Sequence, residues 1–141
     1  MAKLTCFMIC DSVKNIPGPD GKFQTTLVAP QMVLRPQIIP SNFSFAIAFG
    51  ISDINLNEAN KLKFTITNPE GKIIENQGEV ELPVISVIDD QLPRIYQGFT
   101  INIDVRNLLI SVEGEYKFTV YVNGENIGER SIPAYKRCGN V

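Results

Sequence analysis

The sequence predicts an all-β protein: a single-domain antiparallel β-sandwich of eight to ten short strands with at most one short helix. Three observations support this prediction. Apolar residues recur at every second position in several segments, while helical periodicity is almost absent. Gly, Pro and Asn fall between those segments, as they do at tight turns. The 141 residues suit one domain, which we assign to residues 1–135, followed by a C-terminal tail, 136–141.

The first predicted strand, KLTCFMIC, contains two of the three cysteines. In an extended strand Cys6 and Cys10 share a face, and their Cα atoms are ~13 Å apart, too far for a disulfide or a shared metal ion. We therefore expect both thiols to be free and buried as small apolar side chains. Because both faces of the segment are largely apolar, we expect this strand to lie inside its sheet. Cys138, in the polar tail, is expected to be exposed; a bridge from it to Cys6 or Cys10 is the alternative.

Proline and glycine interrupt the chain after this strand. PGPDG (17–21) predicts a turn. Pro30, Pro36 and Pro40 restrict the next segment to short or edge strands, because proline lacks the N–H that a central strand must donate.

Four longer segments alternate between apolar residues and small or polar ones, so each predicts a strand with one face in a core. The clearest is FSFAIAFGI (43–51), whose second face is formed by small residues and therefore allows a neighbouring element to pack closely. The inward positions are Phe43, Phe45, Ile47, Phe49 and Ile51; Leu62, Phe64 and Ile66; Phe99, Ile101, Ile103 and Val105; and Tyr116, Phe118, Val120 and Val122.

Two turns predict hairpins between these strands. NPEG (68–71) and Asn123-Gly124 contain residues that accept the positive φ of tight turns. SDINLNEANK (52–61) is the segment that favours a single helical turn, with Ser52 or Asp53 as N-cap; a loop is the alternative.

A Gly-x-Tyr sequence precedes the last alternating strand. In immunoglobulin-like sandwiches a corner tyrosine stands near the start of such a strand, two residues before a core position. Tyr116 followed by Phe118 fits that pattern, which favours an immunoglobulin-like arrangement. The other interpretation is that Tyr116 is an ordinary strand aromatic.

Two segments resemble an uncharacterised family of small bacterial domains. FMICDSV followed by GPDGKFQTTLV is similar to that family's first strand, Gly-Lys turn and second strand, and GEYKFTVYVNGENIGERSIP is similar to its last hairpin. The matching residues are Ile9, Cys10, Asp11, Val13, Gly21 and Lys22, and then Gly114, Tyr116, Phe118, Asn123, Gly124, Ile127 and Gly128. The resemblance implies an immunoglobulin-like β-sandwich, and it implies no activity.

Composition excludes several functions. The net charge is −2, without a basic excess, so we expect no nucleic-acid partner. No apolar run approaches the ~20 residues of a membrane helix, and no export signal is recognisable, so we expect a cytoplasmic protein without membrane contact. The absence of histidine removes the usual general base of hydrolases and the commonest transition-metal ligand. We therefore expect a non-enzymatic protein without a cofactor.

Five residues are the candidates for contact with a ligand or partner. Asp89 and Asp90 form the only adjacent acidic pair, which we interpret as a loop cap or, alternatively, as an ion site. Tyr96, Tyr121 and Tyr135 are aromatic residues expected at the surface, and the alternation of its strand turns Tyr121 away from the core.

These observations predict a protein-interaction or structural module that binds a protein partner or self-associates through its edge strands. The alternative is a module that binds a small molecule or carbohydrate. A metal-dependent hydrolase built on carboxylates is the third hypothesis.

Overall fold

The computed structural model describes residues 1–85 and 91–137. Within these ranges nine strands form three antiparallel sheets. The strands are β1 (Lys3–Cys10), β2 (Ser12–Pro17), β3 (Phe23–Val28), β4 (Ser41–Ser52), β5 (Asn60–Thr67), β6 (Ile73–Leu82), β7 (Gly98–Ile110), β8 (Gly114–Val122) and β9 (Glu125–Ala134). One sheet has the order β1-β4-β7 and the second the order β6-β5-β8-β9, while β2 and β3 form a separate hairpin. The prediction of an all-β sandwich is confirmed; the immunoglobulin-like arrangement stays a prediction.

The core lies between the two larger sheets, where inward-facing side chains of β4, β5 and β8 form one apolar cluster. Phe118 of β8 is fully buried, and its ring centroid lies 6.1 Å from that of Phe45 in β4 and 5.7 Å from that of Phe7 in β1. Burying one such side chain contributes about 1.5–3 kcal/mol to stability. These contacts therefore hold the two sheets face to face, and the predicted alternation of the three strands is confirmed.

β1 differs from its prediction because it contains a bulge. Leu4 pairs with Ile51 of β4 and Phe7 pairs with Phe49, so three steps along β1 match two steps along β4. An extra residue reverses the side-chain alternation beyond it. Leu4 and Phe7 consequently both pack against the core, and Cys6 is exposed.

The predictions for the cysteines are therefore correct only in part. Cys6 and Cys10 are both free, and Cys10 is buried, but the expected burial of Cys6 is wrong. The expected central position of β1 is wrong as well, because β1 is the edge strand of its sheet. Cys138 lies outside the described residues.

The small face of β4 receives close contacts, as its sequence predicts. An ideal Cβ at Gly50 would overlap the hydroxyl of Thr5 and lie 3.2 Å from the sulfur of Cys6. A side chain at Gly50 would therefore require the side chains of Thr5 and Cys6 to move.

The predicted turns are confirmed. In the β5–β6 turn the amide of Asn68 donates to the carbonyl of Lys72 (2.8 Å), and Gly71 has φ +85°. At the β8–β9 turn Asn123 and Gly124 have φ of +51° and +82°, the pattern of a type I′ hairpin.

The one helical turn described is the 3₁₀ segment Arg94–Tyr96. Between β4 and β5 the predicted segment forms a loop, 53–59, in which the amide of Glu58 donates to the carbonyl of Asn55 (3.4 Å). None of the helical structure in the described ranges is long and apolar enough to span a membrane.

Tyr116 has the geometry of a corner tyrosine. Its side chain is fully buried, and its hydroxyl donates a hydrogen bond of 2.8 Å to the carbonyl of Val112, four residues upstream. The bond ties the β7–β8 connection to the start of β8.

The proline-rich segment closes one side of the sandwich. The amide of Gln31 donates to the carbonyl of Ile9 in β1 (2.7 Å), and the amide of Leu34 donates to the carbonyl of Pro133 in β9 (2.9 Å). Since β1 and β9 are edge strands of opposite sheets, the segment joins the two sheets. Leu34 is fully buried and anchors the crossing in the core. The bridges are isolated, as expected for a proline-rich segment.

Replacing Tyr116 by Phe is expected to destabilise the fold by about 1 kcal/mol, because the carbonyl of Val112 loses its donor. For a chain of this size that corresponds to a fall in Tm of about 3–5 °C, measured by scanning calorimetry. Tyr121→Phe, on the outer face of the same strand, is the matched control and should leave Tm almost unchanged. Equal Tm values for Tyr116→Phe and the unaltered protein would contradict a stabilising corner.

Alkylation of a Cys138→Ser variant by iodoacetamide should modify Cys6 first. Burial, with a further contribution from the Asp11 carboxylate, raises the pKa of the Cys10 thiol, so less thiolate is present at any pH below that pKa. We expect peptide mapping by mass spectrometry to find Cys10 modified only when urea unfolds the protein. Equal rates for both cysteines in the native protein would show that the described bulge is wrong.

Candidate functional site

The structure places the three predicted tyrosines on different surfaces. Tyr96 is 63% exposed and lines a trough with Cys6 on the three-stranded sheet. Tyr135 is 48% exposed and lines a separate hollow beside the β5–β6 turn. Tyr121 lies on the outer face of β8, where the ammonium of Lys63 is 5.7 Å from its ring centroid. The three do not converge on one site.

The predicted acidic residues, Asp89 and Asp90, lie outside the described residues. Among the residues that the structure does describe, no group of three or more His, Cys, Asp or Glu side chains comes together to hold a metal ion.

A different pair of residues converges next to the crossing segment. Beyond Leu34 the chain runs parallel to the end of β9. The amide of Tyr135 donates to the carbonyl of Leu34 (3.0 Å), and the amide of Arg137 donates to the carbonyl of Pro36 (3.0 Å). Because Leu34 and Pro36 are buried, the intervening Arg35 points outward.

The pairing brings two guanidinium groups to one place. Nη2 of Arg35 donates to the carbonyl of Lys136 (3.4 Å), and Nε of Arg137 donates to the carbonyl of Arg35 (3.2 Å). Each contact uses one of the five N–H donors of a guanidinium. In the described ranges neither arginine forms an ion pair with a carboxylate.

The two arginines border a hollow of about 380 Å³ that we call the arginine cleft. Its lining consists of Arg35, Pro36, Gln37, Ile38, Ser41, Asn42, Phe43 and Arg137. This lining contains two cations, two side-chain amides and one hydroxyl, but no acidic residue. The hydroxyl, of Ser41, donates to the carbonyl of Ile38 (2.7 Å) and holds the loop that enters β4. The cleft therefore offers many hydrogen-bond donors in a locally positive setting, which suits an anion.

Acidic residues are concentrated elsewhere on the surface. Four glutamates lie in β6 and the turn before it: Glu70, Glu75, Glu79 and Glu81. β6 and β9 are opposite edges of the four-stranded sheet, three strand spacings or ~14 Å apart. At physiological ionic strength charges are screened over ~8 Å, so these carboxylates weaken the potential at the cleft only slightly. Closer to it, Glu113 accepts a hydrogen bond from the amide of Lys136 (3.1 Å).

No family model and no curated protein matches the chain. Among solved structures, the chain is similar to one of Pseudomonas fluorescens alkylpurine DNA glycosylase AlkC bound to DNA containing an abasic site analog. The sequence identity is 13% and the TM-score 0.47, and the match covers 94% of this chain and 30% of that chain. This chain thus spans less than a third of the length of the matched protein. At this level the similarity assigns it neither an activity nor a substrate.

Two predictions disagree with this match, whose protein is bound to DNA, and neither is retained. The first is the predicted function, a protein-interaction or structural module, with a small-molecule or carbohydrate-binding module as its alternative. The second is the predicted set of partners, which named a protein partner or self-association through edge strands and excluded nucleic acid. The exclusion of nucleic acid rested on the net charge of −2. Net charge is a weak criterion for this chain, because it adds the negative charges of the β6 edge to the positive charges of the arginine cleft.

Sequence reasoning missed Arg35 and Arg137 because they are 102 positions apart. The prolines predict only a short or edge strand around Arg35, and Arg137 lies in the predicted tail. The one available signal is the adjacent Lys136-Arg137 pair just after the last strand. The structure shows both residues hydrogen-bonded to the domain.

Proposed function

We propose that this domain binds nucleic acid without catalysing a reaction, by holding a backbone phosphate in the arginine cleft. The observation that carries the proposal is that two guanidinium groups, from Arg35 and Arg137, border one hollow whose lining contains no carboxylate.

The chemistry of the lining supports a phosphate ligand. A guanidinium can donate two parallel hydrogen bonds to two phosphate oxygens, and such charge-assisted bonds are stronger than neutral ones. The amides of Gln37 and Asn42 add neutral donors of the kind that commonly contact sugar and phosphate groups. Because every nucleotide carries the same phosphate, this site would bind independently of base sequence.

The same lining supports a role in binding rather than in catalysis. Its one hydroxyl, on Ser41, donates to a carbonyl, and the chain has no histidine to activate it as a nucleophile. We include a cytoplasmic location in the proposal, since nucleic acid is present there and Cys6 and Cys10 are free thiols.

The proposal is tested by fluorescence anisotropy with a fluorescein-labelled 20-nucleotide DNA strand at 50 to 200 mM NaCl. We expect binding in the range of about 10⁻⁴–10⁻⁶ M, weakening as salt rises, because bound cations displace counterions from the phosphates. Arg35→Gln and Arg137→Gln should each weaken binding by roughly tenfold and reduce the slope of log K against log salt by about 1.

Arg94→Gln is the matched control. Arg94 is exposed near the C-terminal end of β4, whereas the cleft lies at the N-terminal end, about 36 Å away along the twelve-residue strand. We expect this variant to bind as the unaltered protein does. Equal losses in all three variants would indicate diffuse attraction rather than a site, and no loss in Arg35→Gln and Arg137→Gln would refute the cleft.

A further inference from the structure

The β2–β3 hairpin belongs to neither of the two larger sheets. Its strands pair with each other over six positions, from Ser12 with Val28 to Pro17 with Phe23, and with no other strand of the described residues. At its tip the amide of Gly18 donates to the carbonyl of Lys22 (2.7 Å). The tip is therefore an ordered turn on a two-stranded ribbon.

The tip carries an aromatic side chain that the fold does not bury. Phe23 is 74% exposed, although burying it would contribute about 1.5–3 kcal/mol. Cross-strand pairing places Phe23 on the same face as Pro17, Asn15 and Thr25, all of which are uncharged. This face offers a flat apolar ring beside neutral polar groups.

The charges of the hairpin are mostly positive. Lys14 and Lys22 are both exposed, and Lys14 lies on the face opposite Phe23. The one acidic residue of the segment from Ser12 to Val28 is Asp20. Its carboxylate accepts a hydrogen bond from the amide of Lys22 (3.1 Å) and stabilises the turn. Lys22 therefore places one cation next to the aromatic ring, which complements a base next to its phosphate.

The hairpin and the arginine cleft lie at the same end of the molecule. β1 runs antiparallel to β4 and ends with Cys10 opposite Ala46, so the chain continues toward the N-terminal end of β4. Val13 at the base of the hairpin lines one hollow with Ser44, and the lining also contains Asp11, Asp104 and Arg106. The preceding residue of β4, Phe43, lines the cleft.

The reach of the hairpin fits a short stretch of one strand. Six residues of β2 extend ~20 Å from that base. In a strand that keeps the axial rise of a helix, ~3.4 Å per nucleotide, this distance spans about six nucleotides.

We infer that the β2–β3 hairpin is a finger that stacks Phe23 on an unpaired base of the strand whose phosphate occupies the arginine cleft. This inference rests on the proposed function and makes single-stranded nucleic acid the ligand class. Aromatic side chains stack on exposed bases of any sequence, whereas a base inside a duplex presents no free face. Lys22, adjacent to Phe23 in the chain, contacts a phosphate next to the stacked base.

The test compares three fluorescein-labelled probes by anisotropy: a 12-nucleotide oligothymidine, an abasic strand of the same length, and a 12-base-pair duplex. The unaltered protein should bind oligothymidine about tenfold more tightly than the abasic strand or the duplex. Phe23→Ala should abolish this preference without changing the affinity for the abasic strand, and Phe23→Tyr should retain it. Ile73→Ala, an exposed apolar residue on β6, is the control and should change nothing.

The outcomes separate the finger from the cleft. If the unaltered protein binds oligothymidine and the abasic strand equally, or if Phe23→Ala keeps the preference, the finger is refuted while the cleft stands. If Arg35→Gln weakens all three probes and Phe23→Ala weakens only oligothymidine, both are supported. If no probe binds, the proposed function and the finger are both refuted. Phe23 is too exposed for its replacement to unfold the protein, so each result bears on binding.

Discussion

The crossing of the proline-rich segment from β1 to β9 is the constraint on which the rest of this structure depends. Two backbone hydrogen bonds, from Gln31 to Ile9 and from Leu34 to Pro133, connect edge strands of opposite sheets. At the same side Gly128 of β9 lies so close to Leu4 of β1 that a Cβ there would be 2.7 Å from the leucine. The segment thus closes a side where the two sheets already touch. Without it, the edges of β1 and β9 on this side would be open to water.

The candidate site is a consequence of this crossing. Once Leu34 is fixed against β9, the alternation of an extended chain turns Arg35 outward, and the parallel pairing continues to Arg137. Each guanidinium then donates one hydrogen bond to the backbone of the other segment. This bond limits the rotamers of the arginine before a ligand binds. A preorganised guanidinium loses less entropy on binding than one on a free surface side chain. The chain thereby gains a local cationic site despite its net charge of −2.

The parts of the fold that could be predicted from the sequence are those set by neighbours in the chain. The strands containing Phe45 and Phe118 followed from a period of two, and the Asn123-Gly124 hairpin from the backbone freedom of its residues. The exposure of Cys6 could not be predicted, because one extra residue in β1 reverses the side-chain alternation of that strand. Nothing in the composition of the segment indicates such a bulge. The arginine cleft depends on a contact across 102 positions, which local periodicity does not report. The candidate residues chosen by type, Tyr96, Tyr121 and Tyr135, proved to lie on separate surfaces for the same reason.

The central claim, that a nucleic-acid phosphate sits between Arg35 and Arg137, is tested most directly by NMR on the ¹⁵N-labelled protein. The arginine Nε–H resonances report each guanidinium separately while oligothymidine is added. We expect shifts for Arg35 and Arg137 that saturate together and are reversed by 300 mM NaCl, with Arg94 and Arg130 unchanged. Saturable shifts of backbone amide resonances confined to the Tyr96 trough or to the β6 edge, with the Arg35 and Arg137 resonances unchanged, would contradict the claim.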